Sequence, residues 1–276
     1  MNIKKILVPV DFSPSSDNAA AYACLLAKNI GATLTLFHAY QIPALSTDMP
    51  VMAIAPQALE DSNRANLEVF RDTLLTREGK GLTIICKVSP GFAVDEIGDF
   101  SKEEGVDLLV MGISGSGKIA HALMGSVTTG VMKHVPKPLL IVPEEARFTP
   151  PSKIAFANDY EGTLKPETVN LLSGIVNHFK SSLLVIHVGN PNEKTNDNLS
   201  LGGYKLQEQL KNIPLALYFP TYSDVIDGLM EFERDQDINL LVMVPRHHNL
   251  LSRIFHGSTA RKMAYHTHIP ILAIHE

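Results

Sequence analysis

The chain has 276 residues, 45% apolar and 19% charged, enough for one large globular domain or two of average size. Its 24 Lys and Arg against 29 Asp and Glu leave a net charge of -5, which offers no basic footprint for DNA, RNA or an anionic membrane. Cys24 and Cys86 stand in separate apolar stretches without metal-ligand spacing and read as small core residues in a reducing compartment.

Lys4 and Lys5 precede an apolar run at 6–10 that Asp11 ends far short of a signal-peptide core or a membrane span. The expected location is the cytoplasm, with no membrane and no nucleic-acid partner. Short aliphatic runs then alternate with segments of helical period. Strands are predicted at 6–10, 33–38, 83–88, 108–111 and 139–142, with helices near 18–29, 59–77, 93–104 and 126–134. Such βαβ units need right-handed crossovers and therefore a parallel sheet with helices on both faces. The order recurs, with strands at 154–157, 183–187, 214–219, 240–244 and 271–274 and helical period at 167–180, 222–234 and 258–266.

Two endings mark this recurrence as a duplication. Asp107-Leu-Leu-Val-Met111 matches Asn239-Leu-Leu-Val-Met243, and the stretch from His134 to Val142 matches that from His266 to Ile274. The expected fold is therefore α/β, two tandem doubly wound Rossmann-like domains of five parallel strands each. The boundaries are 1–146 and 153–276, joined by a linker at 147–152 that carries Pro150 and Pro151. Segment 41–56, with Pro43, Pro50 and Pro56, is expected to be a mobile flap.

In an open parallel sheet, ligands bind at the carboxyl ends of strands where the strand order reverses. Asp11 follows the first predicted strand and Gly112 the fourth, so they share a crevice if those strands are neighbours. From there the chain reads Gly112-Ile-Ser-Gly115-Ser-Gly117-Lys-Ile-Ala-His-Ala-Leu-Met-Gly125-Ser126-Val127-Thr128. Glycines at 112, 115 and 117 let main chain approach a phosphate and present N–H groups to it. Gly125 and Ser126 open the next predicted helix, whose free amides and dipole favour an anion, and Ser126 and Thr128 add hydroxyls. The arrangement suits a di- or triphosphate.

Other readings overlap this loop. Gly112-x4-Gly117-Lys118 imitates a P-loop, but Ile119 stands where Ser or Thr would hold magnesium. Gly115-x-Gly117-x2-Ala120 approximates a dinucleotide fingerprint, yet a ribose-binding acid about 20 residues further on is lacking. A flexible turn ending in a Gly-Ser helix cap is the plainer alternative, and for Asp11 an Asx-type turn or helix cap within Asp11-Phe-Ser-Pro-Ser.

The spacing Gly112-x2-Gly115-x9-Gly125-Ser126 resembles the ATP-binding motif of universal stress proteins. Ile6 to Asp11, His38-Ala39-Tyr40, Gly91 with Glu96-Ile97, and Lys137 to Val142 also match that family's marks. The resemblance covers the first half and, more faintly, the second. It implies a cytoplasmic stress-response protein that binds ATP, with or without Mg, in its N-terminal domain. Val10, Asp11 and Ala39 would border adenine and ribose, and Met111, Gly112 and Gly115, followed by Gly117, would approach ribose and phosphates. Gly125, Ser126, Val127 and Thr128 would take the phosphate tail.

In the second half Val244 and His247 replace the two leading glycines and Pro245 removes an amide, so no ATP is expected there, although Asp159 still follows its first strand. His247, His248, His256, His266, His268 and His275 fall within the last thirty residues. A zinc site is one reading of them, and core or surface histidines without a compact ligand pair are the plainer one. No nucleophile and base stand out as a pair, so nucleotide-dependent regulation with slow or no hydrolysis is expected. The alternatives are a nucleotide-dependent hydrolase or transferase and a non-nucleotide interaction protein. Family domains pair through their last strands, which implies an intramolecular pseudo-dimer through 139–142 and 271–274 and leaves a homodimer of whole chains open.

Overall fold

The computed structural model describes residues 3–42, 55–78, 81–113, 126–160, 162–189, 197–244 and 267–275. The first half runs β1 (Lys5–Pro9), α1 (Pro14–Ile30), β2 (Thr33–Tyr40), α2 (Pro56–Glu78), β3 (Ile84–Pro90), α3 (Ala93–Glu103), β4 (Leu108–Ile113), α4 (Ser126–His134) and β5 (Leu139–Pro143). The second runs β6 (Lys153–Ala157), α5 (Pro166–Phe179), β7 (Ser182–Ile186), α6 (Asp197–Gln209), β8 (Leu215–Tyr218), α7 (Val225–Asp235), β9 (Leu240–Met243) and β10 (Ile271–Ala273).

The strands form one ten-stranded sheet in the order β3-β2-β1-β4-β5-β10-β9-β6-β7-β8. All pairs are parallel except β5 with β10, where Leu139, Leu140 and Ile141 face Ala273, Leu272 and Ile271 antiparallel. The two five-stranded parallel sheets expected from the sequence are thus halves of a continuous sheet, with the strand order of one mirrored in the other.

Both faces are covered, which is why the strands are nearly continuous apolar runs. Ile6, Val8 and Val10 point to the face packed by α1 and α2, with Leu67 and Leu74 among the contacts, and α5 and α6 cover the same face further along. Leu7, Leu109, Met111 and Ile141 point to the other, packed by Ile97 of α3, Val131 and Met132 of α4, and α7. Cys24 is buried and Cys86 half-buried, both as free thiols.

Helix α6 is absent from the sequence-based expectation. Its Gly202-Gly203 pair and polar first turn obscure the helical period, and the structure explains the glycine: a Cβ at Gly202 would sit 2.6 Å from both Cβ and the carbonyl oxygen of Tyr160. Close helix-to-turn packing, not flexibility, puts glycine there. The helix expected at 258–266 and the flap residues 43–54 lie outside the described residues. Among the described residues no helix is long and apolar enough to cross a membrane.

Candidate functional site

The strand order reverses between β1 and β4, which pair directly through Ile6 with Leu108 and Leu7 with Leu109. At their carboxyl ends opens a cleft of about 270 Å³. Eight residues singled out in the sequence, Val10, Asp11, Ala39, Met111, Gly112, Ser126, Val127 and Thr128, line it. With Pro9 of β1 and Phe37 of β2, the described wall is completed by Ser13, Ser15 and Ser16 at the start of α1 and by Ala93 and Ile97 of α3. The last five follow no ligand motif, although Ser-Pro-Ser-Ser after Asp11 signals a helix start. Gly115, Gly117 and Gly125 lie outside the described residues.

The cleft is built on the turn that ends β1. Phe12 adopts φ +63°, a left-handed backbone uncommon for a residue with a side chain, and this turns the chain sharply into α1. Oδ1 of Asp11 accepts hydrogen bonds from the Ser13 amide at 3.0 Å and the Ser13 hydroxyl at 2.5 Å. The Ser13 oxygen in turn accepts from the Ser16 amide, capping α1, so Asp11 makes the Asx-type turn and Ser13 is the cap. Partial burial pushes the Asp11 carboxyl up, but the hydrogen bonds led by the Ser13 side chain and backbone outweigh it and hold it below its ordinary value. Asp11 stays ionised at neutral pH and is the only ionisable side chain among the described lining residues.

His38 fixes the β2 side. Its Nδ1 lies 2.7 Å from the Val10 carbonyl oxygen, which can only accept, so Nδ1 carries the proton. Its ring sits 4.8 Å from that of Phe12. On the far wall α4 starts at Ser126, which is exposed, while Thr128 is buried and its hydroxyl donates to the Gly112 carbonyl at 3.3 Å. The first turn of α4 therefore opens onto the cleft through Ser126, Val127 and Thr128.

Gly112 has a reason the sequence did not reveal. A Cβ built there would overlap the Ser15 carbonyl group of α1. Helix-to-strand contact therefore favours glycine at this position in its own right, beside its place in the lining of the cleft.

The second half repeats the scaffold with larger side chains. Asn158, Tyr160 and His187 correspond to Val10, Phe12 and His38: Tyr160 has φ +58°, and Nδ1 of His187 lies 3.2 Å from the Asn158 carbonyl oxygen. By strand register and helix start, Val188, Val225 and Val244 stand where the first half has Ala39, Ala93 and Gly112. Val188 and Val244 are buried.

Among the described residues no group of three His, Cys, Asp or Glu is arranged to hold a metal. Nδ1 of the exposed His268 stands 3.9 Å from a Glu145 carboxylate oxygen. His247, His248, His256 and His266 lie outside the described residues.

Comparison with known proteins gives the chain its relatives. A universal stress protein of Synechocystis sp. is 22% identical over 300 residues, covering 98% of this chain and 99% of that protein. One from Mycobacterium tuberculosis is 30% identical over 150 residues, 52% of this chain and 49% of the relative, so the match spans about half that relative's length. The crystal structure of a universal stress protein from Archaeoglobus fulgidus shares the fold at a TM-score of 0.73 and 17% identity, over 100% of this chain and 99% of that one. The universal stress protein family model matches residues 2–143 and 221–275, and the chain belongs to that family.

Proposed function

We propose that the cleft between β1 and β4 binds ATP or a related adenine nucleotide, one per chain, and that the protein acts as a nucleotide-dependent regulator with slow or no hydrolysis. The observation that carries this is the convergence on one 270 Å³ cleft of Asp11, the small Ala39, Gly112 and the first turn of α4. The apolar walls of Val10, Ala39, Ala93, Ile97 and Met111 suit a base and ribose face, with Asp11 as an acceptor for base or ribose donors. The α4 amides and the hydroxyls of Ser126 and Thr128 suit phosphate oxygens. Gly115, Gly117, Gly125 and Val127 extend this wall in the proposal, and the nucleotide binds with or without Mg, for which Asp11 is the only carboxylate among the described lining residues. Slow hydrolysis follows from the absence of any base other than Asp11 among these residues.

We further infer that residues 1–146 and 153–276 act as two domains paired through β5 and β10 as a pseudo-dimer, the second without nucleotide because Val188, Val225 and Val244 fill the corresponding space. Calorimetric titration with ATP, ADP and AMP tests the reading, since the chain has no Trp for intrinsic fluorescence. One site per chain is expected; no binding heat, or two equal sites, would overturn it.

A further inference from the structure

The wall of α1 that borders the cleft also holds the segment joining the two halves. Ser15 lines the cleft, and Asn18 lies three residues on, on the same helix face. Asn18 is buried, and its amide is fully committed. Nδ2 donates both hydrogens, to the carbonyl oxygens of Pro143 at 2.9 Å and Ala146 at 3.0 Å, and Oδ1 accepts from Arg147 Nη1 at 2.6 Å. Pro143 ends β5 and is in register with Ile113, the neighbour of Gly112, in β4. Gly112 in turn packs on the Ser15 carbonyl. Gly112, Ser15, Asn18, Pro143 and Ile113 thus form a closed ring of contacts, with the cleft on one side and the connecting segment on the other.

Beyond this ring the connecting segment runs past two cavities to its far end, where the Ser181 hydroxyl donates to the Pro151 carbonyl and Asn239 accepts from Ser152. Phe148 meets Tyr22 of α1 edge-on at 5.2 Å and Phe179 of α5 at 6.5 Å, so its ring bridges the two halves. Beside it lies an apolar cavity of about 40 Å³, lined from both halves by Tyr22, Leu26, Ile175 and Phe179. A polar pocket of about 230 Å³, lined by Asp17, Asn18, Arg77 and Arg147, lies on the other side. This space leaves room for the part of the segment near Arg147 and Phe148 to shift once its anchor on α1 is released. The anchor at this near end is the Asn18 amide.

We propose that Asn18 is a positioning residue that couples the cleft to the connecting segment, so that a nucleotide bound against the first turn of α1 fastens residues 144–152 and with them the seating of one half on the other. This rests on the nucleotide reading above. The first turn of α1 is held by Asp11 and the Ser13 cap, and a ligand bound against it reinforces that turn and, one turn on, the Asn18 bonds to Pro143 and Ala146. Coupling is reciprocal: what the nucleotide does for the segment, the segment does for nucleotide affinity.

Hydrogen exchange of residues 144–152 in the full chain, with and without saturating ATP, tests this, with 182–186 of β7 as the internal reference for global stabilisation. In the wild type ATP is expected to slow exchange of 144–152 about fivefold or more relative to the reference. Asn18→Asp keeps the shape, removes both N–H donors and sets a carboxylate against two carbonyls. It should exchange faster without ATP, lose the ATP response and bind ATP more weakly by a similar factor. If that variant does not fold, Arg147→Ala, which leaves both Nδ2 bonds in place, should show the same changes at about half the logarithmic size. ATP binding by calorimetry with unchanged exchange at 144–152, or variants with wild-type response and affinity, overturns the coupling alone. No binding heat overturns the nucleotide reading and the coupling with it.

Discussion

Asp107 accepts the amides of Lys4 and Lys5 on its carboxylate, and Asn239 accepts those of Ser152 and Lys153 on its amide oxygen. Nζ of Lys5 donates to the Glu104 carbonyl, and Nζ of Lys153 to that of Gln236. These main-chain and lysine bonds at the amino ends of the strands recur in both halves. At the carboxyl ends the halves part. Glu96 folds under Gly91 and accepts from the Ser89 hydroxyl, whereas in the second half Tyr222 stands where register puts Gly91, and its ring covers Gly228 where the first half has Glu96. Bulk has moved from the helix to the strand end. Together with Val188, Val225 and Val244 this shows framework bonds kept while side-chain volume at the rim differs between the halves.

Gly112 against Val244 is the sharpest contrast, and breaking it should give the largest effect. Helix α1 starts at Pro14, three residues after Asp11, while α5 starts at Pro166, seven after Asp159. The shorter turn brings Ser15 onto Gly112, so even Gly112→Ala should cost about 1–3 kcal/mol by overpacking, with or without nucleotide. The shift of the urea midpoint measures it. An unchanged midpoint would show that glycine is kept there for a ligand alone.

Importing the second half's bulk into the cleft should cost binding instead. Ala39→Val with Ala93→Val adds two side chains to the lining without touching the Gly112 contact, and the half-exposed setting of both alanines leaves stability nearly unchanged. ATP affinity is expected to fall at least about tenfold, roughly 1.4 kcal/mol. Wild-type affinity in the titration would mean that side-chain volume at these two positions does not separate the halves in nucleotide binding.

The layered fold was legible because buried parallel strands must be apolar on both faces, and runs such as 139–142 have no other use. The pairing of Asp11 with Gly112 at one crevice was legible too, since strand order and loop position imply it. Three features were not. Phe12 and Tyr160 take positive φ values that their side chains do not advertise. Helix α6 carries glycines that answer to Tyr160, a contact forty residues away in sequence. Asn18 looks like any helix asparagine until Pro143 and Ala146 are placed beside it, because its partners are more than a hundred residues distant.

The smallest expected effect separates the two turns that end β1 and β6. In the second, the Tyr160 amide donates to the buried, neutral Asn158 side chain at 2.7 Å; in the first, the Ser13 amide and hydroxyl donate to the ionised Asp11. The Asp11 carboxyl titrates below its ordinary 3.8 in the folded chain. A carboxyl depressed by folding contributes stability that is fully present above the unfolded value and is lost as pH falls through the folded one. Asp11→Asn keeps an acceptor for Ser13 and removes only the charge, so the variant should be slightly less stable than wild type from pH 5 to 8, and the gap should close as pH drops below about 4. Urea midpoints of both proteins across that range read it directly. A gap that persists undiminished to pH 2.5 would mean that geometry, not charge, sets the contribution of the Asp11 turn.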